Sequence, residues 1–338
     1  MSTSRRHRRR QRNINLVLLA ILLLLTGAVV YTAFHGFFRP PELKEEDVPS
    51  QAPVQIKPGQ AHDTSAEEDA VAAAEALRSH RERKPGFYTI LVSGVDDGNG
   101  NSDTNILVAV DTEQGAIYGV SIPRDTKAVW NGKNHKINAA YGSGGMDKLA
   151  DVISGQLGIP VDNTILVDLK GFVALVDAIG GVDFNVPIDM DYEDPYQDLY
   201  IHIPKGMQHL SGSEAIKVVR FREGYASQDI GRMETQQKFL KAVAKKMLTV
   251  ENLDKVDDFV KIFNTYVETD LTLGNLGWLG KEAISMGADA ITFSTLPGEW
   301  HSPYIYLDPE ATLTLVNESL NPYVEDRVME DLNIPVRG

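Results

Sequence analysis

Residues 87–122 read FYTILVSGVDDGNGNSDTNILVAVDTEQGAIYGVSI, and this stretch decides the fold. It holds three short runs of β-type residues: Phe87 to Val92, Ile106 to Val110 and Ile117 to Ile122. Aspartate, asparagine and glycine separate them. β-Branched and aromatic residues bounded by turn formers predict three adjacent strands, the second and third joined by a hairpin around Gln114 and Gly115. The periodicity then changes. Met146, Leu149, Ile153 and Leu157 share one helical face, as do Phe172, Leu175, Val176 and Ile179. Thr164 to Leu169 reads as a strand between those two helices. Further helices are expected at 213–219, 233–249, 256–267 and 276–286, with a late strand at Ala290 to Leu296 and a closing helix near 309–320. Strands interleaved with helices along the whole length predict an α/β fold, a sheet with helices on both faces.

Toward the N-terminus the chain changes character. Leu16 to Ala33 carries no charge, and the apolar run continues to Phe38. At about 1.5 Å of rise per residue, about 23 helical residues span roughly 34 Å, enough to cross a bilayer core with some tilt. Six arginines (Arg5, Arg6, Arg8, Arg9, Arg10 and Arg12) precede the run, and no acid does. That asymmetry keeps the basic end in the cytoplasm and puts the remainder outside, as a single-pass protein of the cell membrane. The expected organisation is a cytoplasmic basic tail over 1–13, a transmembrane helix over 14–38 and a linker with one helix over 39–85. A folded domain over 86–322 and a C-terminal tail over 323–338 follow. Of 33 Lys and Arg, the remaining 27 face 47 Asp and Glu, a balance of about −20. So acidic a body repels a phosphate backbone, which argues against nucleic acid as a partner. Cysteine is absent, so disulfides and thiol chemistry are excluded.

Three separated segments carry candidate chemistry. Gly94-Val95-Asp96-Asp97 and Ser102-Asp103-Thr104 flank a loop rich in glycine and asparagine. Asp, Asn and Gly build turns for local hydrogen-bonding reasons, and carboxylates at a sheet edge also hold hard cations, so both readings fit Asp96, Asp97 and Asp103. Ser121-Ile122-Pro123-Arg124-Asp125 ends the third strand, where proline stops the ladder and leaves Arg124 at its exit. An Arg-Asp pair is also a common structural ion pair. The third segment runs from Arg220-Phe221-Arg222 through Asp229 and Arg232 to Gln236. Ser211 and Glu214 form a capping-box pattern ahead of it. In an extended backbone Arg220 and Arg222 point one way and Phe221 the other, and two adjacent like charges call for an anion between them. Met233, Gln236, Gln237, Leu240, Val243, Ala244 and Met247 form a stripe in which Gln236 needs a polar partner or a ligand. Guanidinium forks suit the oxygen pairs of phosphates, so the segments together predict a site for a lipid-linked phosphate or pyrophosphate. No GxSxG elbow, nucleotide-binding glycine fingerprint or zinc-ligand spacing is present.

In order, GVDD…SDT, SIPRDT, KINAAYGSGG, DLKGFVALVDAIGGVDFNV, GMQHLSGSEAIKVVRFR and DIGRMETQQKFL resemble the LytR–CpsA–Psr family of membrane-anchored bacterial phosphotransferases. The resemblance covers Phe87 to about Pro297. It implies an α/β/α sandwich with a mixed central sheet and an apolar tunnel for a polyprenyl chain. It further implies magnesium, or manganese in its place, on Asp96, Asp97 and Asp103. The positions of Arg124, Arg220, Arg222, Arg232 and Gln236 match pyrophosphate-contacting groups. Lys136, which opens KINAAYGSGG, falls with the substrate-binding residues, and Asp229 is the candidate acceptor of the nucleophile's proton. The implied partners are a polyprenyl-pyrophosphate-linked glycan such as a teichoic acid or capsule polymer, the peptidoglycan that receives it, and the membrane. Three departures make the site less basic than in some members: Asn101 two residues before Asp103, Gln228 before Asp229, and Thr235 before the glutamine pair. A pyrophosphate hydrolase on the same lipid head, or a non-catalytic lipid-glycan binder with a regulatory role, would use many of the same residues.

Overall fold

The structure, a computed structural model, describes residues 39–44, 81–95, 101–195, 199–221, 224 and 256–337, with positions 235, 238, 239, 242, 243 and 246 between them. Its centre is a six-stranded mixed sheet. The strands in chain order are β1 (Phe87–Val95), β2 (Ser102–Asp111), β3 (Ala116–Ser121), β4 (Lys127–Trp130), β5 (Lys133–Lys136), β6 (Asn163–Asp168), β7 (Val182–Val186), β8 (Met190–Asp194), β9 (Leu199–Ile203), β10 (Gly206–Leu210), β11 (Val267–Thr269), β12 (Ile291–Thr295), β13 (Gly298–His301) and β14 (Tyr304–Leu307). The sheet runs β11-β6-β1-β2-β3-β12. β1 is antiparallel to β2 and β2 to β3, as the opening stretch predicts. β6 joins β1 in parallel, and β12 joins β3 in parallel. In the β2–β3 turn, the amides of Glu113 and Gln114 donate to Asp111 Oδ1, and Gly115 supplies φ 64°.

Strand alternation divides the interior into two apolar clusters. Tyr88, Ile90, Val92, Ile106 and Val108 face one; Phe87, Leu91, Leu107 and Ala109 face the other. Helices α2 (Leu169–Ala178), α3 (Gly212–Arg220), α4 (Val256–Tyr266) and α5 (Leu273–Met286) pack on the first cluster, with the strand pair β7–β10 and the hairpin β8–β9 inserted within it. Helix α1 (Ala139–Leu157) packs on the second, as do Leu315 at the end of α6 (Pro309–Leu315) and Val316 and Leu320 in the π-helical turn that follows it. The helices at 213–219, 256–267 and 276–286 thus lie where the periodicity predicts. Helix α1 is not continuous: Gly144 and Gly145 break it, and Gly145, at φ 70° and ψ −160°, adopts a conformation open to glycine alone. α2 and α3 meet at Gly212, where any Cβ would strike the Val173 carbonyl.

Two features were not foreseen. Among the described residues three hairpins, β4–β5, β8–β9 and β13–β14, and the pair β7–β10 stand outside the sheet. The β4–β5 turn is Asn131-Gly132, at φ 52° and 69°, the signature of a tight hairpin. Lys127, Lys133 and Lys136 in its short strands mask the alternation that would reveal it. Flanking segments also dock on the domain. Asn275 Nδ2 donates to the carbonyls of Arg39 and Pro40, Leu43 packs on the first cluster, and Tyr323 is buried in the second. Among the described residues no helix is long and apolar enough to cross a membrane; the run from Leu16 to Phe38 lies outside them.

Candidate active site

The carboxyl ends of β1 and β6 and the start of β2 meet at one edge of the sheet, where Val95 pairs with both Asp168 and Ser102. The β1–β2 register slips there. Gly94 pairs with Thr104 and Val95 with Ser102, which leaves Asp103 as the extra residue of a bulge. Bulges concentrate beside functional sites because they re-aim a side chain. The Asp103 side chain, with Asp96 and Asp97, lies outside the described residues.

The chain gathers buried polar groups at this edge. Ser102, Thr104, Asn105 and Ser121 are all buried. Ser93 Oγ donates to Asn105 Oδ1 at 2.9 Å. The hydroxyls of Ser102, Thr104 and Ser121 and the Asn105 Nδ2 have no hydrogen-bond partner among the described residues. Each such group costs about 1–3 kcal/mol when it is dry and unsatisfied; the four divide between the faces of the sheet, Asn105 and Ser102 on the second cluster's side and Thr104 and Ser121 on the first, and the latter pair marks a place built for a polar occupant. Thr104 and Ser121 share the first cluster's face with Ile106, because Ile106 pairs directly with Ser121. Sequence reasoning placed Ser102, Thr104 and Ser121 inside candidate motifs without giving them a role, and passed over Asn105. For the three on β2 the signal was a strand that begins Ser-Asp-Thr-Asn, four hydrogen-bonding residues ahead of the apolar run Ile106 to Val110.

Arg124 follows Pro123 in a turn closed by the Thr126 amide donating to the Pro123 carbonyl at 2.9 Å. The arginine is 5% exposed, and its carbonyl accepts from the Asn138 amide at 3.2 Å. Asp125 takes Lys136 as its partner, Nζ to Oδ1 at 2.8 Å. Lys136, grouped by sequence with the substrate-binding residues, is thus tied to the segment that carries Arg124. Arg220 ends α3, half-buried, with an Nε that is buried and has no hydrogen-bond partner among the described residues. Phe221 turns into the core at 2% exposure, as its alternation with the arginines predicts. The capping box ahead of it forms in full. Ser211 Oγ accepts from the Glu214 amide, and Glu214 Oε2 accepts from the Ser211 amide at 2.9 Å. Hydrogen bonding by the Ser211 hydroxyl, then by its amide, holds the Glu214 carboxyl below the usual range. The helix macrodipole also favours Lys217 and Arg220 in the last turn.

Arg222, Asp229, Arg232 and Gln236 lie outside the described residues. Around Gln236, the expected helix is seen at Phe239 and Val243, both fully buried; Phe239, absent from the expected stripe, packs edge-on against Phe184. Asp168, in the DLKGFV motif, caps α2 by accepting from the Lys170 amide at 2.8 Å. Tyr141, in KINAAYGSGG, has its phenol pushed up by burial and then by Glu268, so it is neutral at physiological pH. Among the described residues no group of three His, Asp or Glu side chains is arranged to hold a metal. The oxygens without a partner at this end of the sheet are nevertheless the hydroxyls of Ser102, Thr104 and Ser121, near the Asp103 bulge, and hard oxygen donors of this kind fit a divalent cation such as magnesium or manganese.

Residues 54–321 match the model of the LytR_cpsA_psr family. The polyisoprenyl-teichoic acid–peptidoglycan teichoic acid transferase TagV of Bacillus subtilis (strain 168) is 31% identical over 260 residues, 72% of this chain and 66% of TagV, just under two thirds of its length. TagU of Bacillus cereus, of the same description, is 33% identical over 246 residues, 70% of this chain and 79% of TagU. The crystal structure of B. subtilis TagV has the same fold, with a TM-score of 0.59 at 29% identity, covering 72% of this chain and 100% of that one. By sequence, by fold and by the order of its motifs, the chain belongs to the LytR_cpsA_psr family.

Proposed function

We propose that this protein is a membrane-anchored phosphotransferase that moves a glycan phosphate, such as a teichoic acid, from a polyprenyl-pyrophosphate carrier to peptidoglycan. The observation that carries this reading is the pair of buried hydroxyls, Thr104 and Ser121, that lie without a hydrogen-bond partner among the described residues on the first cluster's face at the end of an apolar sheet. Half-buried Arg220 provides the complementary charge, since its Nε has no hydrogen-bond partner among the described residues. The named activity of TagV and TagU supports the choice of substrates. The apolar cluster beneath α2 and α3 is the region to which we assign the polyprenyl chain. We also assign residues 14–38 to a membrane anchor, 39–85 to a linker, 86–322 to the catalytic domain, held outside the cell, and 323–338 to a C-terminal tail.

In the reaction, a sugar hydroxyl of the acceptor attacks the glycan-proximal phosphorus of the pyrophosphate. A new O–P bond forms, and the bridging P–O bond breaks. Polyprenyl phosphate departs with the electron pair, and the hydroxyl proton passes to a carboxylate, which we assign to Asp229. Arg220 and Arg124, with Arg222 and Arg232, neutralise the charge that develops on the phosphoryl oxygens, and Gln236 helps to orient them. Polyprenyl phosphate is a stable anion, so no strong general acid is required. A hard divalent cation held by Asp96, Asp97 and Asp103 would supply further neutralisation of phosphate oxygens.

The test is glycan transfer from a defined lipid-linked donor to peptidoglycan, measured for the full chain and for Arg220→Gln. One charge-assisted phosphate contact is worth about 1.5–3 kcal/mol, so transfer should fall roughly ten- to a hundredfold with little change in melting temperature. Normal turnover with a lowered melting temperature would return Arg220 to a helix-end structural role. Release of the glycan phosphate to water alone, with acceptor present, would replace transferase with hydrolase.

A further inference from the structure

The first residues after the apolar run are fastened to the domain. Asn275 Nδ2 donates to the carbonyls of Arg39 and Pro40 at 3.1 and 3.0 Å. Pro41 is buried, Leu43 packs on the first apolar cluster, and the Lys44 amide donates to Asp162 Oδ1 at 3.2 Å. Residues 39–44 thus lie on the domain as a strap. They also directly follow residues 14–38, which we assign above to the membrane anchor. A free linker over 39–85 would let the domain stand roughly 35–40 Å off the bilayer. With Arg39 already docked, no free chain separates the docked face from the end of the anchor. The rest of the linker adds no height, because it leaves at Lys44 and returns at Arg83, and both bind the same carboxylate, Asp162.

The strap marks one end of the sheet. Asp162 immediately precedes β6, and the Thr89 amide, near the start of β1, donates to it at 2.9 Å. Asn275 stands in the first turn of α5, just after β11 has run antiparallel toward the start of β6. β2 ends and β3 begins at that same end, in the turn that holds Glu113 and Gln114. The candidate site occupies the opposite end, with Val95, Ser102, Ser121 and, just after it, Arg124. From Thr89 to Val95 the strand β1 covers roughly 20 Å, at about 3.3 Å per residue. One face of the sheet stays apolar between the two ends, from Tyr88 and Val110 through Ile90 and Val108 to the hydroxyl of Thr104.

We propose that the strap end of the sheet, with the α5 N-terminus and the β2–β3 turn, rests on the lipid headgroups. The phosphate site then faces outward, toward the acceptor, about 20 Å from the docked end along the strands. Charge does not set this orientation. Exposed Arg39 and Lys44 suit anionic headgroups, but Glu42 lies between them and the body beyond residue 38 carries about −20, which such a surface repels. The covalent junction at Arg39 sets it. A carrier whose pyrophosphate reaches Thr104 must therefore lift its head off the bilayer, with the nearest part of its tail along the first cluster. The proposal rests on the anchor assigned above and gives the proposed reaction its direction.

The chain has no cysteine, so a single label can be placed by substitution. Gln114→Cys puts a fluorophore on the exposed β2–β3 turn, and Lys170→Cys puts one just past the carboxyl end of β6. The full chain is reconstituted in vesicles of phosphatidylglycerol and phosphatidylethanolamine that carry a headgroup spin label as quencher. The label at position 114 should be quenched about threefold more strongly than the label at 170, since the two ends stand roughly 20 Å apart. Asn275→Asp combined with Leu43→Asp removes the donor and the apolar contact that hold the strap, while a carboxylate at 275 still accepts from the Thr272 amide. In that background the difference should vanish although the protein still floats with the vesicles. Equal quenching with the strap intact, or stronger quenching at 170, would overturn the orientation alone. A difference that persists in the loosened variant would overturn the strap as its cause. Protein that fails to float with the vesicles would overturn the anchor, and this inference with it. None of these readouts depends on turnover, so the transferase reading stands or falls separately in the Arg220→Gln assay.

Discussion

Replacing Asp162 with alanine should unfasten the chain on both sides of the linker. The carboxylate is 2% exposed, just before β6, and five donors converge on it. Arg83 reaches it with both terminal nitrogens, Nη1 to Oδ1 at 3.0 Å and Nη2 to Oδ2 at 2.8 Å. The Thr89 amide and hydroxyl lie 2.9 Å from Oδ2, and the Lys44 amide donates to Oδ1 at 3.2 Å. Removal leaves a guanidinium that is 17% exposed at its side chain and a buried strand amide without their acceptor. Breaking one side of a buried pair costs about 3–5 kcal/mol, a large part of the ~5–15 kcal/mol available to a typical domain. For a domain of this size that is a melting-temperature loss of roughly 6–20 °C. The assay is a thermal melt beside limited trypsin digestion, in which cleavage after Lys44 and Arg83 should become faster well below the melting temperature. A stability loss under about 1 kcal/mol, the range of a solvent-screened surface pair, would refute the reasoning, and so would unchanged cleavage at Lys44.

Three further outcomes are expected. Asp103→Ala should lose magnesium-stimulated transfer while the domain melts normally, since a bulge carboxylate contributes little to the core; a calorimetric titration with magnesium should lose its heat in the same variant, and an unaltered titration would remove Asp103 from the cation site. Glu214→Gln should cost about 0.5–2 kcal/mol at neutral pH through the capping box. Because the folded carboxyl titrates low, that contribution is present above the unfolded value of about 4.3 and disappears as pH falls through the folded value, so melts of the two proteins should converge in acid. Protease added to intact spheroplasts should digest the domain beyond Arg39, and complete protection would reverse the proposed orientation of the anchor.

Much of the fold was legible because its signals are local. β1 to β3 are apolar runs with turn formers between them, and Ser211 to Glu214 is a four-residue pattern that closes on itself. The hairpin β4–β5 carried its signal in Asn131-Gly132, but lysines in strands only four residues long hid the alternation. The candidate site was legible in part. Its arginines and aspartates stood out by charge, whereas Ser102, Thr104 and Ser121 are ordinary strand residues until burial without partners distinguishes them. Arg124 and Lys136 were both noticed, but their connection through Asp125 crosses a hairpin turn that the sequence reading left unassigned.

From the sequence by itself followed the class of the fold, the order of its elements and the chemical character of the segments that converge on the site. These depend on periodicity, capping and charge, which act within a few residues. Only the tertiary structure decided the strand order β11-β6-β1-β2-β3-β12, the anchoring of Lys44 on Asp162 and of Arg39 and Pro40 on Asn275, and the fastening of β13–β14 to the turn after Pro123. The physical reason is the same in each case. Asp162 joins Arg83 and Lys44 across 79 and 118 positions of chain, and Ile305 bridges Thr126 from a hairpin far away in sequence. Whether a side chain is buried, paired or presented is a property of the neighbours that folding brings to it, and those neighbours are not adjacent in the chain.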